Sequence, residues 1–373
     1  MKIDFAKLQH QYQLYKKDID RNIHAVLDKS NYILGEEVAT LEERLSEFMD
    51  VEHALACSNG TDALLLAMMA IGLRPGDEVI TTPFTFIATA ETIAYLGATP
   101  VFVDIQADTF NIDPAGIEAA ITERTKAIMP VSLYGQSADM DEINAIADRH
   151  GIVVITDGAQ SFGAQYRQRR ETHYADIYTT SFFPAKPFGC YGDGGALFTA
   201  NADYAEKIRM MRVHGQNKRY HHRYIGMGGR LDTLQAAVLL AKLPHYEEEL
   251  RRRQAVAERY SELLEGHVIT PTIRDDRTCV WAQYTVRVDN RDQVQESLKA
   301  TGVPTAVHYP MPLHQQECFA YLGLSTGQFP VSERVAAEVM SLPMNPFLTD
   351  EEISYVAENL IAALEFEAAG TGT

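Results

Sequence analysis

Six short runs rich in apolar and β-branched residues recur between residues 54 and 181, at 54–58, 78–82, 99–103, 127–131, 152–157 and 177–181. Stretches with helical spacing lie between them, at 62–70, 85–96, 114–120 and 140–150. Parallel strands cannot be joined by a tight turn. Each pair needs a crossover of roughly a dozen residues, usually a helix. The alternation therefore predicts an α/β fold, a mostly parallel sheet covered by helices on both faces. Ligands in such a fold collect at the carboxyl ends of the strands, so the residues just after each run are the ones to weigh for function.

The flanking segments read differently. The first forty residues suggest a helix, a break near Gly35 and a second amphipathic helix at 37–49. A further small, apolar strand is predicted at 194–199, then a long helix at 233–263 with Arg251, Arg252 and Arg253 on its solvent side. Beyond Gly266 the pattern predicts a strand at 279–288, a helix at 291–300, an extended segment at 305–309 and helices at 333–340 and 350–366. Three units follow: an N-terminal helical segment at 1–35, a large α/β domain at 36–250 and a smaller α+β domain at 251–373, the helix at about 233–263 linking the last two. The final residues, 370–373, are expected to fray.

Composition removes several classes of partner. The chain carries 33 Lys plus Arg against 51 Asp plus Glu, a formal net charge of -18, with no basic tract to attract nucleic acid. Cys57, Cys190, Cys279 and Cys318 are scattered without a CxxC pair, so neither a disulfide framework nor a zinc site is expected. His221 and His222 have no acidic or thiol partner at ligand spacing, and no metal is expected there. The opening residues lack an apolar signal core and no run reaches membrane-spanning length, which makes a cytoplasmic protein the expectation.

Lys186 stands in the stretch 181–195, among apolar and small residues that give a lysine no obvious surface role. A desolvated lysine loses proton affinity and becomes a usable amine nucleophile, suited to a Schiff base with an aldehyde such as pyridoxal phosphate. The plainer reading is a lysine that snorkels from a glycine-rich loop. Asp157 ends the run 152–157, where its carboxylate could meet a protonated pyridine nitrogen or simply cap a helix. Gln160 follows three residues later, a ring-hydroxyl partner or a loop amide. Gly60 and Thr61 lie between a strand and a helix, where backbone N–H groups favour phosphate, although capping alone explains such a sequence. Ser181 could donate to the same phosphate. Phe86 could stack on a ring or fill the core. Each has a bland alternative; together they supply a phosphate seat, a ring stack, a pyridine anchor and an amine, each near the carboxyl end of a predicted strand.

The matching stretches 32–35, 58–62, 82–90, 157–161, 181–195, 230–237 and 307–313 run over nearly the whole chain. On them the chain resembles the sugar aminotransferases of the DegT/DnrJ/EryC1/StrS family, of the aspartate aminotransferase fold (fold type I of the pyridoxal-phosphate enzymes). The resemblance implies that Lys186 carries pyridoxal 5'-phosphate, which cycles through pyridoxamine 5'-phosphate. It implies that Asp157 pairs with the pyridine nitrogen, Gln160 meets the ring oxygen, Gly60, Thr61 and Ser181 hold the phosphate, and Phe86 covers the ring. It also implies a homodimer with sites at the shared interface. Within the family, the stretches 131–136, 215–223, 279–287 and 301–309 are most similar to members that aminate UDP-2-acetamido-2-deoxy-3-keto-glucuronate with L-glutamate, for bacterial surface polysaccharide such as O-antigen. A carboxylated sugar nucleotide needs cationic and polar contacts, which makes Arg223, His308 and Tyr309 substrate candidates. Each could equally be a surface arginine or a packed ring.

Two departures from the family stand out. Gly228 replaces an asparagine that in relatives reaches the cofactor phosphate of the other subunit, and Gly158 follows Asp157 where alanine is common. Three other functions compete: the same transfer to a 4-keto sugar; a dehydratase of the same fold, whose members carry histidine in place of the lysine; and a non-catalytic regulatory protein that keeps the fold.

Overall fold

The computed structural model describes residues 1 and 3–370, with side chains to 366 at the carboxyl end. Of the segment expected to fray, 371–373 lie outside the described residues. Seven strands form the main sheet, in the order His53–Cys57, Gly195–Thr199, Ile177–Ser181, Val153–Asp157, Thr125–Ile128, Glu78–Thr81, Thr99–Phe102. Gly195–Thr199 runs antiparallel to both its neighbours, and the other adjacent pairs are parallel. The mostly parallel sheet is therefore present, with one reversed strand inside it.

Local chemistry sets the crossover helices. Asn59 caps Gly60–Ala70 by accepting the Asp62 N–H at 2.8 Å. Asp113 caps Pro114–Ala120, whose first-turn proline lacks only an N–H that would be unpaired anyway. Gly151, at φ 64°, ends Met140–His150 in the left-handed conformation that glycine adopts without strain. Apolar residues of these helices cover both sheet faces: Leu64, Ala67 and Met68 pack with Leu55, Ile155 and Leu197, while Ile143, Ile146 and Ala147 pack with Ile80, Ile128 and Val154.

A second core lies toward the carboxyl end. Tyr260 and Leu264 of the helix Thr233–Leu264 meet Tyr284, Val286, Leu298, Met340, Leu342, Val356 and Leu360 there. Ile3 belongs to this core, and Asn345 donates to the Asp4 and Phe5 carbonyls, so the start of the chain is tied to its last third.

Three readings need correction here. Residues 339–340, expected to end a helix, belong to the strand Val339–Leu342, which pairs antiparallel with Tyr284–Arg287 after the helix Pro330–Glu338. The strand expected at 279–288 is regular only over Tyr284–Arg287. Its first part instead returns N–H groups to the Gly135 and Tyr134 carbonyls, from Val280 and Ala282 at 3.0 Å each. Arg253 faces inward, unlike Arg251 and Arg252: it is 6% exposed and donates to the Trp281 and Met344 carbonyls. Those carbonyls solvate its guanidinium in place of water.

Candidate active site

The loops after His53–Cys57, Glu78–Thr81, Val153–Asp157 and Ile177–Ser181 all leave the same edge of the sheet. They carry most of the residues singled out in the sequence.

Lys186 sits on a loop pinned at both ends by buried aromatic rings. Phe182 and Phe188 meet edge to face with centroids 5.5 Å apart, and Phe162 stacks on Phe188 at 5.2 Å. Backbone bonds close the loop, from Lys186 N to Phe183 O at 2.9 Å and from Cys190 N to Phe182 O at 2.8 Å. Gly189 is required at its foot, because a Cβ there would lie 2.5 Å from Phe183 O. The half-buried Lys186 ammonium is pushed down to about 8 by loss of water, against the pull of the Asp157 carboxylate.

A second lysine has the same property. Lys242, 3% exposed, is likewise brought to about 8 by burial. Its ammonium, however, is engaged: it donates to the Gly189 carbonyl and lies 5.5 Å over the Tyr191 ring. Position separates the two lysines. Lys242 supports the loop through Gly189, and Lys186 stands on the loop within electrostatic reach of Asp157.

Asp157 is 5% exposed. Its Oδ2 accepts from Thr89 Oγ1 at 2.7 Å and its Oδ1 from Ala159 N at 3.2 Å. Burial raises its pKa in spite of these donors and of Lys186. Both donors are neutral, so this carboxylate is poised to take a cationic N–H. Gln160 is equally buried and works in both directions: its Oε1 accepts the Tyr134 N–H at 2.7 Å and its Nε2 donates to Tyr309 OH at 3.1 Å.

Gly60 opens its helix against Ser181, where a Cβ would lie 2.7 Å from Ser181 Cβ. Only glycine leaves space for that approach. With the Asp62 N–H held by Asn59, the N–H groups of Gly60 and Thr61 have no partner within the helix. Free N–H groups at a helix start favour an anion, and the Ser181 side chain lies against them at Gly60. Phe86 is no core residue: it is 54% exposed, its centroid 6.0 Å from the Tyr309 ring, whereas Phe84 is fully buried.

His308 and Tyr309 join the site, and Arg223 does not within one chain. His308 Nδ1 lies 2.9 Å from Ser341 Oγ, and burial with Lys186 nearby lowers its pKa to about 4, so it is neutral. Tyr134 OH donates to the His308 carbonyl. Arg223 is exposed beside the hairpin of Gln216–Lys218 and His221–His222; its guanidinium pairs with Glu206 at 3.7 Å. Gly228 is exposed, and a Cβ there would come 3.4 Å from His214 Cε1 and 3.7 Å from Arg230 Nη2.

Thr89, Tyr134 and Ser341 were missed by the sequence reading. For Thr89 a signal existed: Thr85 and Thr89 are spaced i, i+4, and their hydroxyls meet at 3.0 Å. For Tyr134 and Ser341, set by tertiary contacts alone, none did. Among the described residues no group of three or more His, Cys, Asp and Glu is placed to hold a metal ion, and no helix is long and apolar enough to cross a membrane.

Known proteins match this chain along nearly its whole length. The model of the DegT/DnrJ/EryC1/StrS aminotransferase family matches residues 13–361. The chain is 53% identical over 359 residues to the UDP-2-acetamido-2-deoxy-3-oxo-D-glucuronate aminotransferase of Pseudomonas aeruginosa, covering 96% of this chain and 99% of that one. It is 48% identical over 364 residues to the pleiotropic regulatory protein of Geobacillus stearothermophilus, covering 96% and 98%. Among solved structures, DesV of S. venezuelae in complex with a ketimine intermediate superposes with a TM-score of 0.95 at 38% identity, over 98% of this chain and 99% of that one. The chain belongs to the DegT/DnrJ/EryC1/StrS aminotransferase family, whose enzymes depend on pyridoxal phosphate.

Proposed function

We propose that this protein transfers the amino group of L-glutamate to C3 of UDP-2-acetamido-2-deoxy-3-keto-D-glucuronate, releasing 2-oxoglutarate and the 3-amino sugar nucleotide. What supports the reading is Lys186 on the loop after Ile177–Ser181, where burial lowers its pKa and the charge of Asp157, a buried carboxylate whose own donors are neutral, opposes that fall. The choice of acceptor is supported by the 53% identity to the Pseudomonas aminotransferase named for that sugar.

The residues present fit pyridoxal phosphate. Lys186 would hold its aldehyde carbon, Asp157 its pyridine nitrogen and Gln160 its ring oxygen. Gly60, Thr61 and Ser181 would seat the phosphate, and Phe86 would cover the ring. When bound, the cofactor supplies an electron sink and carries the amino group between substrates. Lys186 Nζ, partly neutral near pH 7, takes the proton from Cα of glutamate and later delivers one to C3 of the sugar. Asp157 keeps the electron sink cationic in both directions. Neutral His308 and the Tyr309 hydroxyl offer polar contacts to the sugar without adding charge.

In this reading residues 36–250 form the cofactor domain and 251–373 the smaller one. The protein works in the cytoplasm as a homodimer, and Arg223 meets the carboxylated sugar in the neighbouring site. The product serves diacetamido-uronic acids of surface polysaccharide, O-antigen among them. The exposed Tyr32, Ile33, Leu34, Tyr220 and Ile225 support a covered face on the chain.

The test is a half-reaction. The protein is converted with L-glutamate, the donor removed, and UDP-2-acetamido-3-keto-glucuronate or a 4-keto UDP-hexose added while the visible absorbance is followed. Recovery with the 3-keto uronate alone supports the assignment. Recovery with the 4-keto sugar alone overturns the acceptor, and no response to glutamate would favour a regulatory protein.

A further inference from the structure

Gly158 lies directly behind Asp157, and the space its missing side chain leaves is filled by Tyr178. A Cβ on Gly158 would fall 2.1 Å from Tyr178 Cζ, 2.3 Å from its OH and 2.4 Å from its Cε2. No side chain fits there while the ring stays. The ring is fully buried on the strand Ile177–Ser181 beside Asp157, and its hydroxyl reaches 3.0 Å from Ser161 Oγ and 3.3 Å from the Gly158 carbonyl. Because Ser161 directs its own proton to Glu171, the single Tyr178 proton is shared between Ser161 Oγ and the Gly158 carbonyl. The same Gly158 carbonyl accepts from Thr180 Oγ1 at 3.0 Å and Ser161 N at 3.1 Å. Glu171, fully buried, also holds Ser132 Oγ at 2.6 Å, and Ser132 N donates to the Asp157 carbonyl at 3.1 Å.

These bonds end on the turn 157–161 or on Glu171 and Ser132, which hold it, and the turn presents Asp157 and Gln160. We propose that Tyr178 is a positioning residue for this turn and that Gly158 and Tyr178 form a coupled pair: the glycine exists to admit the ring, and the ring with its hydroxyl fixes the turn. This rests on the reading that Asp157 and Gln160 hold the cofactor ring.

The atoms in conflict make the test specific. Phenylalanine keeps Cζ and Cε2, whereas leucine has neither, so leucine at 178 relieves an alanine at 158 and phenylalanine does not. Gly158→Ala, Gly158→Ala/Tyr178→Phe, Gly158→Ala/Tyr178→Leu and Tyr178→Phe would be compared in three measurements. These are melting of cofactor-free protein, the dissociation constant for pyridoxal phosphate, and the pH midpoint of the bound cofactor's visible band. Gly158→Ala is expected to melt several degrees lower, to bind cofactor roughly tenfold more weakly and to shift the midpoint, as overpacking next to Asp157 requires. The leucine double variant recovers much of each loss and the phenylalanine double variant does not. If Gly158→Ala fails to fold, recovery of soluble protein by leucine alone carries the same conclusion. Tyr178→Phe by itself shifts the midpoint while the protein stays folded.

Wild-type behaviour of Gly158→Ala, or equal rescue by both residues, would overturn the coupling. An unmoved midpoint in Tyr178→Phe would overturn the positioning role. The melting comparison contains no cofactor, so it reads the coupling independently of what Asp157 binds.

Discussion

Thr89 donates a hydrogen bond of 2.7 Å to Asp157 across 68 positions of sequence, and Thr85 stands 3.0 Å behind Thr89. With the Thr89 proton directed at the carboxylate, Thr85 supplies the next one, so two hydroxyls in series solvate a buried acid. Thr89→Val keeps the shape and removes the donor. It should cost cofactor-free protein about 1–3 kcal/mol at pH 7. Burial already holds the Asp157 pKa above its ordinary value. The folded state therefore keeps this proton longer than the unfolded chain, and stability falls as pH rises from the unfolded pKa through the folded one. The variant raises the folded pKa further. Its deficit in urea unfolding should thus widen between pH 4 and pH 7 and be largely restored in Thr89→Ser.

Lys186 has the opposite dependence. Below about pH 8 the folded and unfolded amines are both charged and the cost of burying the ammonium is present in full. Between about 8 and the ordinary 10.5 the folded amine has lost its proton while the unfolded one keeps it. Stability of cofactor-free protein therefore rises with pH across that window, by on the order of 3 kcal/mol from this residue. Lys186→Met should be the more stable protein at pH 7 and should lose this part of the rise, as measured by denaturant unfolding at pH 7 and pH 10. Lys242 contributes a rise of its own, which the variant retains.

Much of this site could be read from the sequence, because its main residues follow strands whose apolar runs are unmistakable. The supporting groups were less visible. Tyr178, Thr179 and Thr180 are fully or almost fully buried in a central strand where valine and isoleucine are the rule. Three polar residues in such a run were the available signal for the turn's support. Glu171 lies on a short 3-10 segment with nothing local to mark it as buried. The strand Val339–Leu342 was read partly as helix for a related reason. Val335, Ala336, Val339 and Met340 recur at helical spacing, and the partner that makes the last two a strand, Tyr284–Arg287, lies more than fifty residues earlier.

The proposed phosphate seat depends on the close approach of Gly60 to Ser181. Gly60→Ala places a methyl group 2.7 Å from Ser181 Cβ and must push the helix start away from Ser181. Affinity for pyridoxal phosphate should fall by at least about tenfold, the equivalent of one charge-assisted hydrogen bond. Affinity for pyridoxal without phosphate should change far less. Equal losses for the two ligands would place the phosphate elsewhere.

Gly228 can take a side chain. A Cβ there meets His214 at 3.4 and 3.5 Å, which is ordinary contact, so Gly228→Asn is sterically admissible. In the proposed homodimer, where family members have asparagine at this position, the added amide should tighten pyridoxal phosphate binding by roughly two- to tenfold, the range of one net hydrogen bond. Titration of cofactor into the variant and wild type measures this. Unchanged or weaker binding would mean that position 228 does not face a phosphate.

Lys186 and Lys242 both have amines lowered to about 8, and the cofactor is proposed on Lys186 alone. Borohydride reduction of the pyridoxal phosphate complex fixes the cofactor on the amine that holds it, and peptide mass mapping then identifies that amine. The added mass is expected on the peptide containing Lys186, and no visible cofactor band is expected in Lys186→Ala. Label on Lys242, or spread over surface lysines with Lys186 unmodified, would contradict that assignment.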